Sequence, residues 1–147
     1  MGNLPEIING GIAIDDRGVL SYVNTVPFAN VVRMYGIENF SMHTIRAFHG
    51  HALEEKFVLV TSGSAIAALS RMSQDRTALE APKRWILSSR KPQLLYAPAG
   101  YANGFRALEP NTQILFFSST TIEQAVTDDY RFPYDYFGKE IWEVESR

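Results

Sequence analysis

Cysteine is absent from this chain of 147 residues, which removes disulfides and thiolate metal ligands together. A disulfide-stapled secreted scaffold is thereby excluded. Long apolar runs are missing as well, since no stretch approaches the roughly 20 residues that a membrane-spanning helix needs. The opening Met1-Gly2-Asn3-Leu4-Pro5-Glu6 has neither the basic region nor the apolar run of a signal peptide. An excess of positive charge is also lacking. With 14 basic against 16 acidic residues, no basic face for nucleic acid is expected. Any anion bound here must be met by a few local cations. These absences lead us to expect a cytoplasmic protein without nucleic-acid or membrane partners.

What is present is enough apolar material, 46% of residues, to bury one core at this length. It comes in short runs, at 57–60, 66–69, 85–87, 94–96 and 113–117, rich in aliphatic and aromatic residues. Turn formers separate them: Ser62-Gly63-Ser64, Ser73-Gln74-Asp75, Ser88-Ser89, Pro98-Ala99-Gly100 and Glu109-Pro110-Asn111. Short strands with regular turn signals predict an all-β sandwich or barrel. Helix is expected only at 29–34 and at 121–126, the latter with Thr120 as N-cap. No repeat, low-complexity tract or linker divides the chain. We expect one domain over 1–147, its core at about 12–118 and a segment at 119–147 packed over it.

The richest chemistry lies in Arg46-Ala47-Phe48-His49-Gly50-His51, followed by Glu54-Glu55-Lys56. Residues two apart on a strand share a face, so His49 and His51 should point together. Arg46 and Lys56 stand close by in sequence to supply positive charge. Two imidazoles, two cations and a carboxylate suit either proton transfer beside an anionic substrate or a metal site. For the metal, His49, His51 and Glu55 have the spacing of a two-histidine, one-carboxylate set, against which Lys56 argues as a neighbouring cation. A further alternative makes Arg46 a structural ion-pair partner of Glu54 or Glu55. His43 and Glu109 belong to no constellation, and Met34, Met42 and Met72 are expected as core or edge filler.

The order of these blocks resembles the cupin-fold dTDP-4-dehydrorhamnose 3,5-epimerase family over about residues 12–142. Asp15-Asp16-Arg17-Gly18 is similar to its acidic-Arg-Gly opening, and Arg46-Ala47-Phe48-His49 to its Arg-Gly-Leu-His block, with Lys56 at the lysine that follows. Trp85-Ile86-Leu87-Ser88 is similar to its Trp-to-Ser strand, one residue shorter. Tyr96-Ala97-Pro98-Ala99-Gly100-Tyr101-Ala102-Asn103-Gly104-Phe105 resembles its Pro-x-Gly turn. Arg131-Phe132-Pro133-Tyr134-Asp135 and Trp142 resemble its closing elements. The sister 3,4-ketoisomerases carry an Arg-Gly-x-His-Ala-His block that His49-Gly50-His51 also resembles, and an N-terminal pattern similar to Asp16-Arg17-Gly18-Val19-Leu20 with Val26-Pro27-Phe28.

The resemblance implies a cupin or jelly-roll β-sandwich acting on a nucleotide-linked 4-keto-6-deoxy sugar by proton removal next to the ketone. It implies His49 as base, Asp135 as its orienting carboxylate, Lys56 as enolate stabiliser and His51 as a second proton carrier. Arg17 and Arg46 would hold the diphosphate, with Asn103 and Tyr101 as further substrate contacts. Tyr22 and Tyr96 are alternatives to Tyr101 for stacking on the nucleotide base. The chemistry requires no organic cofactor or metal, and the family's habit of exchanging N-terminal strands implies a homodimer. Two departures matter. Asn103 replaces a family histidine, and Thr121 falls where the family has its tyrosine acid. A threonine hydroxyl is a poor acid at neutral pH. The reaction expected is therefore epimerisation at C3 and C5 or at one carbon, with 3,4-ketoisomerisation, or a non-catalytic or metal-binding cupin, as alternatives.

Overall fold

The computed structural model describes residues 1–147. The strands in chain order are β1 (Glu6–Asn9), β2 (Gly11–Asp15), β3 (Gly18–Tyr22), β4 (Arg33–Ile37), β5 (Ile45–His51) and β6 (Lys56–Ser62). They continue as β7 (Ser64–Arg71), β8 (Lys83–Ser88), β9 (Gln93–Ala97), β10 (Tyr101–Ala107), β11 (Gln113–Ser118) and β12 (Tyr130–Arg131). Helix α1 (Ile122–Val126) follows β11, and a 3₁₀ turn covers Glu140–Trp142. Two antiparallel sheets face each other, in the orders β1-β9-β6-β11-β4 and β12-β5-β10-β7-β8, while β2 and β3 form a separate hairpin. This is the expected all-β sandwich.

Alternation within each strand decides what enters the interior. Val58 and Val60 of β6, Ala65, Ala67 and Leu69 of β7, Phe105 of β10 and Ile114 and Phe116 of β11 form the buried layer between the sheets. The outer faces are partly covered too. Phe57, Leu94 and Tyr96 lie under Val23, Phe28 and Val31 on the first sheet. Phe48, Ile66, Ala68, Met72 and Ala102 on the second lie under Trp142 and Phe137 from the C-terminal segment. That segment is tied down by Arg84, which donates to the carbonyls of Ile141 and Glu143 at 2.7 and 3.0 Å. Arg106 donates to the carbonyl of Trp142, and the Trp142 indole N–H to that of Tyr134 at 2.8 Å. Gly104 makes this close approach feasible, because a Cβ there would stand 2.7 Å from the indole ring.

Residues 29–34 are not helical. Val31 packs in a loop and Arg33 begins β4, whose alternation puts Met34 on the outside and Arg33, Tyr35 and Ile37 on the inside. Helix α1 forms where expected, but its N-cap is Thr121, whose hydroxyl accepts from the Gln124 N–H while the Gln124 side chain accepts from the Thr121 N–H. Of the three methionines expected as filler, Met72 is buried, whereas Met34 is 62% exposed and Met42 37% exposed.

Candidate active site

One end of the sandwich stays open, and the inward-facing positions of five strands converge on it. His49 and His51 of β5 and Asn103 of β10 come from one sheet. Arg33 and Tyr35 of β4, Lys56 of β6 and Phe116 of β11 come from the other. The register places Asn103 beside His49, Phe116 beside Tyr35 and Lys56 beside Ser118. Together with Arg46, Arg131 and Asp129 they line a cavity of about 320 Å³, of a size that holds a small ligand. Ile122, Ala125 and Val126 of α1 supply an apolar lip.

Deep in the cavity lies a charge cluster built around Glu54, which is buried. Its Oε1 accepts from the Arg33 guanidinium at 2.8 Å and from the Ser118 hydroxyl. Its Oε2 lies 3.2 Å from His51 Nδ1 and 3.7 Å from Lys56 Nζ, and has no hydrogen-bond partner. His51 Nδ1 is 2.7 Å from the Asp128 carbonyl, and its Nε2 is 3.1 Å from Lys56 Nζ. The Asp128 carboxylate accepts from the backbone N–H groups of Ala52, Leu53 and Glu54 at 2.7, 2.9 and 3.0 Å, which fixes the β5–β6 turn that carries the cluster. Burial pushes Lys56 below the ordinary lysine range, opposed by Glu54 and reinforced by Arg33. Burial raises the Tyr35 phenol, with Glu54 adding to the effect. Tyr35 stacks on Phe116 at 4.7 Å and has the Arg33 guanidinium 5.0 Å from its ring centre. Its hydroxyl is a neutral donor throughout the neutral pH range.

His49 sits nearer the mouth. Burial lowers its pKa, as does the Arg131 guanidinium, while Asp129 opposes them. A neutral imidazole is the form that accepts a proton. Asp129 is held by Arg131, which donates from Nε to both carboxylate oxygens at 3.3 and 3.1 Å. Pairing of Arg131 with His49 across β12 and β5 brings this Asp-Arg pair to the His49 imidazole.

The structure brings together His49, His51, Lys56, Arg46 and Asn103, and leaves three other expected residues elsewhere. Asp135 lies in an exposed turn where its carbonyl accepts from the Gly138 N–H, so Asp129 is the carboxylate at the cavity near His49. Arg17 caps the β2–β3 hairpin with its side chain 87% exposed and paired to Asp15. Tyr101 borders a separate hollow with Arg71, whose guanidinium lies 5.6 Å from its ring centre. Tyr96 is buried, with its hydroxyl donating to Glu55 at 2.6 Å, and Tyr22 borders an outer apolar hollow. Arg46 does not pair with Glu54 or Glu55. Only its Nε is engaged, donating to Asn39 at 2.6 Å. The metal set does not fit: Glu55 is turned to Tyr96, Lys56 occupies Nε2 of His51, and no three His, Asp or Glu side chains converge. Arg33, Tyr35 and Asp129 were not anticipated, and neither was the place of Glu54 and Arg131 in the cavity lining. The inward alternation Arg33-x-Tyr35-x-Ile37 was the available signal for the first two.

Fold and cavity together define a cupin-type β-sandwich with a cavity lined by histidine, lysine, arginine and carboxylate side chains at its open end. The chain belongs to the dTDP-4-dehydrorhamnose 3,5-epimerase family, whose pattern it matches over residues 15–132, and so stands among the nucleotide-sugar isomerases. It is 26% identical over 125 residues to the spore coat polysaccharide biosynthesis protein SpsL of Bacillus subtilis (strain 168), covering 82% of each chain. Among solved structures it is similar to a dTDP-4-dehydrorhamnose 3,5-epimerase from Bacillus anthracis with TDP and PPi bound. There the TM-score is 0.78 at 20% identity, over 97% of this chain and 86% of that one. A 3,4-ketoisomerase from Helicobacter canadensis matches with TM-score 0.69 at 21% identity, over 93% and 96%. ChmJ, a 3'-monoepimerase from Streptomyces bikiniensis in complex with dTDP, matches with TM-score 0.77 at 12% identity, over 97% and 74%.

Proposed function

We propose that this enzyme epimerises a nucleotide-linked 4-keto-6-deoxy sugar at a single carbon, with His49 as base. The observation that carries the reading is the division of labour between two walls. His49 belongs to one sheet, whereas Lys56 and Tyr35 belong to the other, across the same cavity. His49 takes the proton α to the ketone, with Asp129 stabilising the imidazolium. The Lys56 ammonium meets the enolate oxygen, a contribution worth about 3 kcal/mol by the scale of one oxyanion-hole donor. Tyr35 returns a proton from the opposite side, the task that Thr121, engaged as a helix cap, leaves open. Arg46, Arg131 and Asn103 hold the nucleotide diphosphate and sugar at the mouth, where guanidinium forks suit phosphate oxygens.

The test is incubation with several nucleotide-linked 4-keto sugars in heavy water, followed by mass and NMR analysis of the ring. Deuterium should enter at one carbon with inversion. His49→Asn should slow wash-in by about 10²–10⁴-fold, the range for loss of a positioned base. Tyr35→Phe should keep wash-in but lose inversion. A product with its carbonyl moved to C3 would make the chain a 3,4-ketoisomerase, and binding without any exchange would make it a non-catalytic sugar-binding cupin.

The reading extends to a homodimer in the cytoplasm, the compartment that supplies nucleotide-linked substrates. The β2–β3 hairpin presents Ile14, Val19 and Leu20 to solvent, and an apolar hollow lined by Val26, Phe28, Leu59 and Phe117 opens on the outer face of the first sheet. A second copy accepting the hairpin would cover that apolar surface and carry Arg17 toward the partner's cavity. Sedimentation of the wild type against Leu20→Asp tests it, since a monomeric wild type is incompatible with this arrangement. The name of the Bacillus subtilis relative suggests a product destined for a surface polysaccharide.

A further inference from the structure

We infer that His51 is a positioning residue for Lys56: a neutral imidazole protonated on Nδ1, whose bare Nε2 aims the ammonium into the cavity. The inference deepens the reading in which Lys56 stabilises an enolate, and it removes His51 from the set of bases.

The assignment follows from donors and acceptors. A backbone carbonyl can only accept, so the 2.7 Å contact between the Asp128 oxygen and His51 Nδ1 requires a proton on Nδ1. An ammonium can only donate, so the 3.1 Å contact between Lys56 Nζ and His51 Nε2 requires Nε2 to be bare. The reverse arrangement, imidazolium beside a neutral amine, would move a proton from a group titrating ordinarily near 10.4 to one near 6.5. Burial and the Lys56 charge both disfavour the imidazolium. His51 therefore has no free basic nitrogen to offer a substrate.

Lys56 has three N–H groups to place. One is taken by His51 and one is directed at Glu54 Oε2, 3.7 Å away, while the rings of Tyr35 and Phe116 flank the ammonium at 5.5 and 5.9 Å. The third is left for the cavity that Lys56 lines. The charges facing Lys56 are Glu54 from the β5–β6 turn, Arg33 from β4 and Asp129 ahead of β12. His49 and Asp128 complete the titratable surroundings of the imidazole–ammonium pair.

Two measurements on the intact, substrate-free chain test this. Long-range proton–nitrogen NMR of labelled histidines should report His51 in the Nδ1–H form through the neutral range. Labelled-lysine NMR should then show Lys56 titrating about one to two pH units lower in His51→Phe, which removes the acceptor of a charge-assisted hydrogen bond. His51→Gln, whose amide oxygen can accept, should restore part of that shift and covers the case in which His51→Phe does not fold. An Nε2–H or doubly protonated ring at neutral pH overturns the inference, as does a Lys56 titration indifferent to His51. With turnover available, His51→Gln should lower kcat by about 100-fold, the cost of a slightly misplaced group, at unchanged KM. Loss of deuterium entry at one carbon with exchange retained at another would instead make His51 a second base. A chain that turns over no nucleotide sugar refutes the proposed function, while the two titrations still decide this inference.

Discussion

Glu54→Gln exchanges a carboxylate for an amide of the same size at a point where three basic side chains converge. At an effective dielectric of about 20, the attraction across the 2.8 Å contact to Arg33 is about 6 kcal/mol, and across the 3.7 Å contact to Lys56 about 4 kcal/mol. Desolvation of the three groups consumes most of this in the native protein, so the intact cluster adds little net stability. The variant keeps the desolvation and loses the attraction. Its amide oxygen can still accept from Arg33 and Ser118, but the NH₂ then faces Lys56 and the Nδ1–H of His51, donor against donor. Breaking a buried pair costs about 3–5 kcal/mol. Arg33 is 22% exposed, so water relieves part of its loss and the lower end is expected. For a chain of this length, about 3 kcal/mol lowers Tm by roughly 10 °C. Thermal and urea melts of wild type, Glu54→Gln, Lys56→Met and the double variant form a cycle. The double variant should be more stable than the sum of the singles by at least about 1 kcal/mol. A Glu54→Gln loss below about 1 kcal/mol, or strict additivity, would refute the claim that Glu54 compensates these cations.

The pH dependence of kcat/KM should be bell-shaped. Its acid limb, set by neutral His49, should lie below the usual value of about 6.5, and its alkaline limb, set by charged Lys56, below about 10.4. An acid limb above pH 7 would contradict the site. Because Glu54 favours the Lys56 ammonium, Glu54→Gln should move the alkaline limb to lower pH. Arg46→Ala should raise KM by about 10- to 100-fold at similar kcat, as loss of a hydrogen bond to a charged group predicts. A kcat effect without a KM effect would remove Arg46 from diphosphate binding. Gly104→Ala should destabilise by about 1–3 kcal/mol or more through overpacking against the Ala47 methyl and Trp142, read from thermal melts. Wild-type stability would show that neither Ala47 nor the C-terminal segment packs on β10 at Gly104 as described.

Period-2 alternation made much of this legible. His49 and His51 on one face, and the apolar runs of β6, β7, β8, β9 and β11, follow from strand geometry alone. β4 escaped because it follows small and apolar residues in Ala29-Asn30-Val31-Val32, and a strand with one solvated face and one cavity face lacks a continuous apolar run. Tyr35 and Arg33 were lost with it. The resemblance of the 131–135 block to the family's closing element points to Asp135, whereas the carboxylate that lines the cavity is Asp129. The pairing of Arg131 with His49, and the engagement of Asp128 with the β5–β6 turn, separate Asp128, Asp129 and Asp135 only in three dimensions. Arg17 stands outside the cavity of its own chain for another reason: whether a hairpin lies over its own chain or projects from it depends on surfaces far away in sequence.

The charge of the cavity bears on what it can hold. Arg33, Arg46, Lys56 and Arg131 line it against Glu54 and Asp129, and both histidines favour their neutral forms. The site thus carries two positive charges in excess within a protein of formal charge −2. A diphosphate joined to a nucleoside at one end and a sugar at the other carries two negative charges, which balances that excess. One of the two excess positive charges lies at the mouth, Arg46 and Arg131 against Asp129, and the other in the interior, Arg33 and Lys56 against Glu54, where in the proposed reaction the attraction of Lys56 for negative charge grows as an enolate forms. On the proposed reading, placing Arg46 and Arg131 at the mouth and the compensated ammonium in the interior separates affinity for the nucleotide from stabilisation of the transition state. That separation is what a selective proton-transfer catalyst needs.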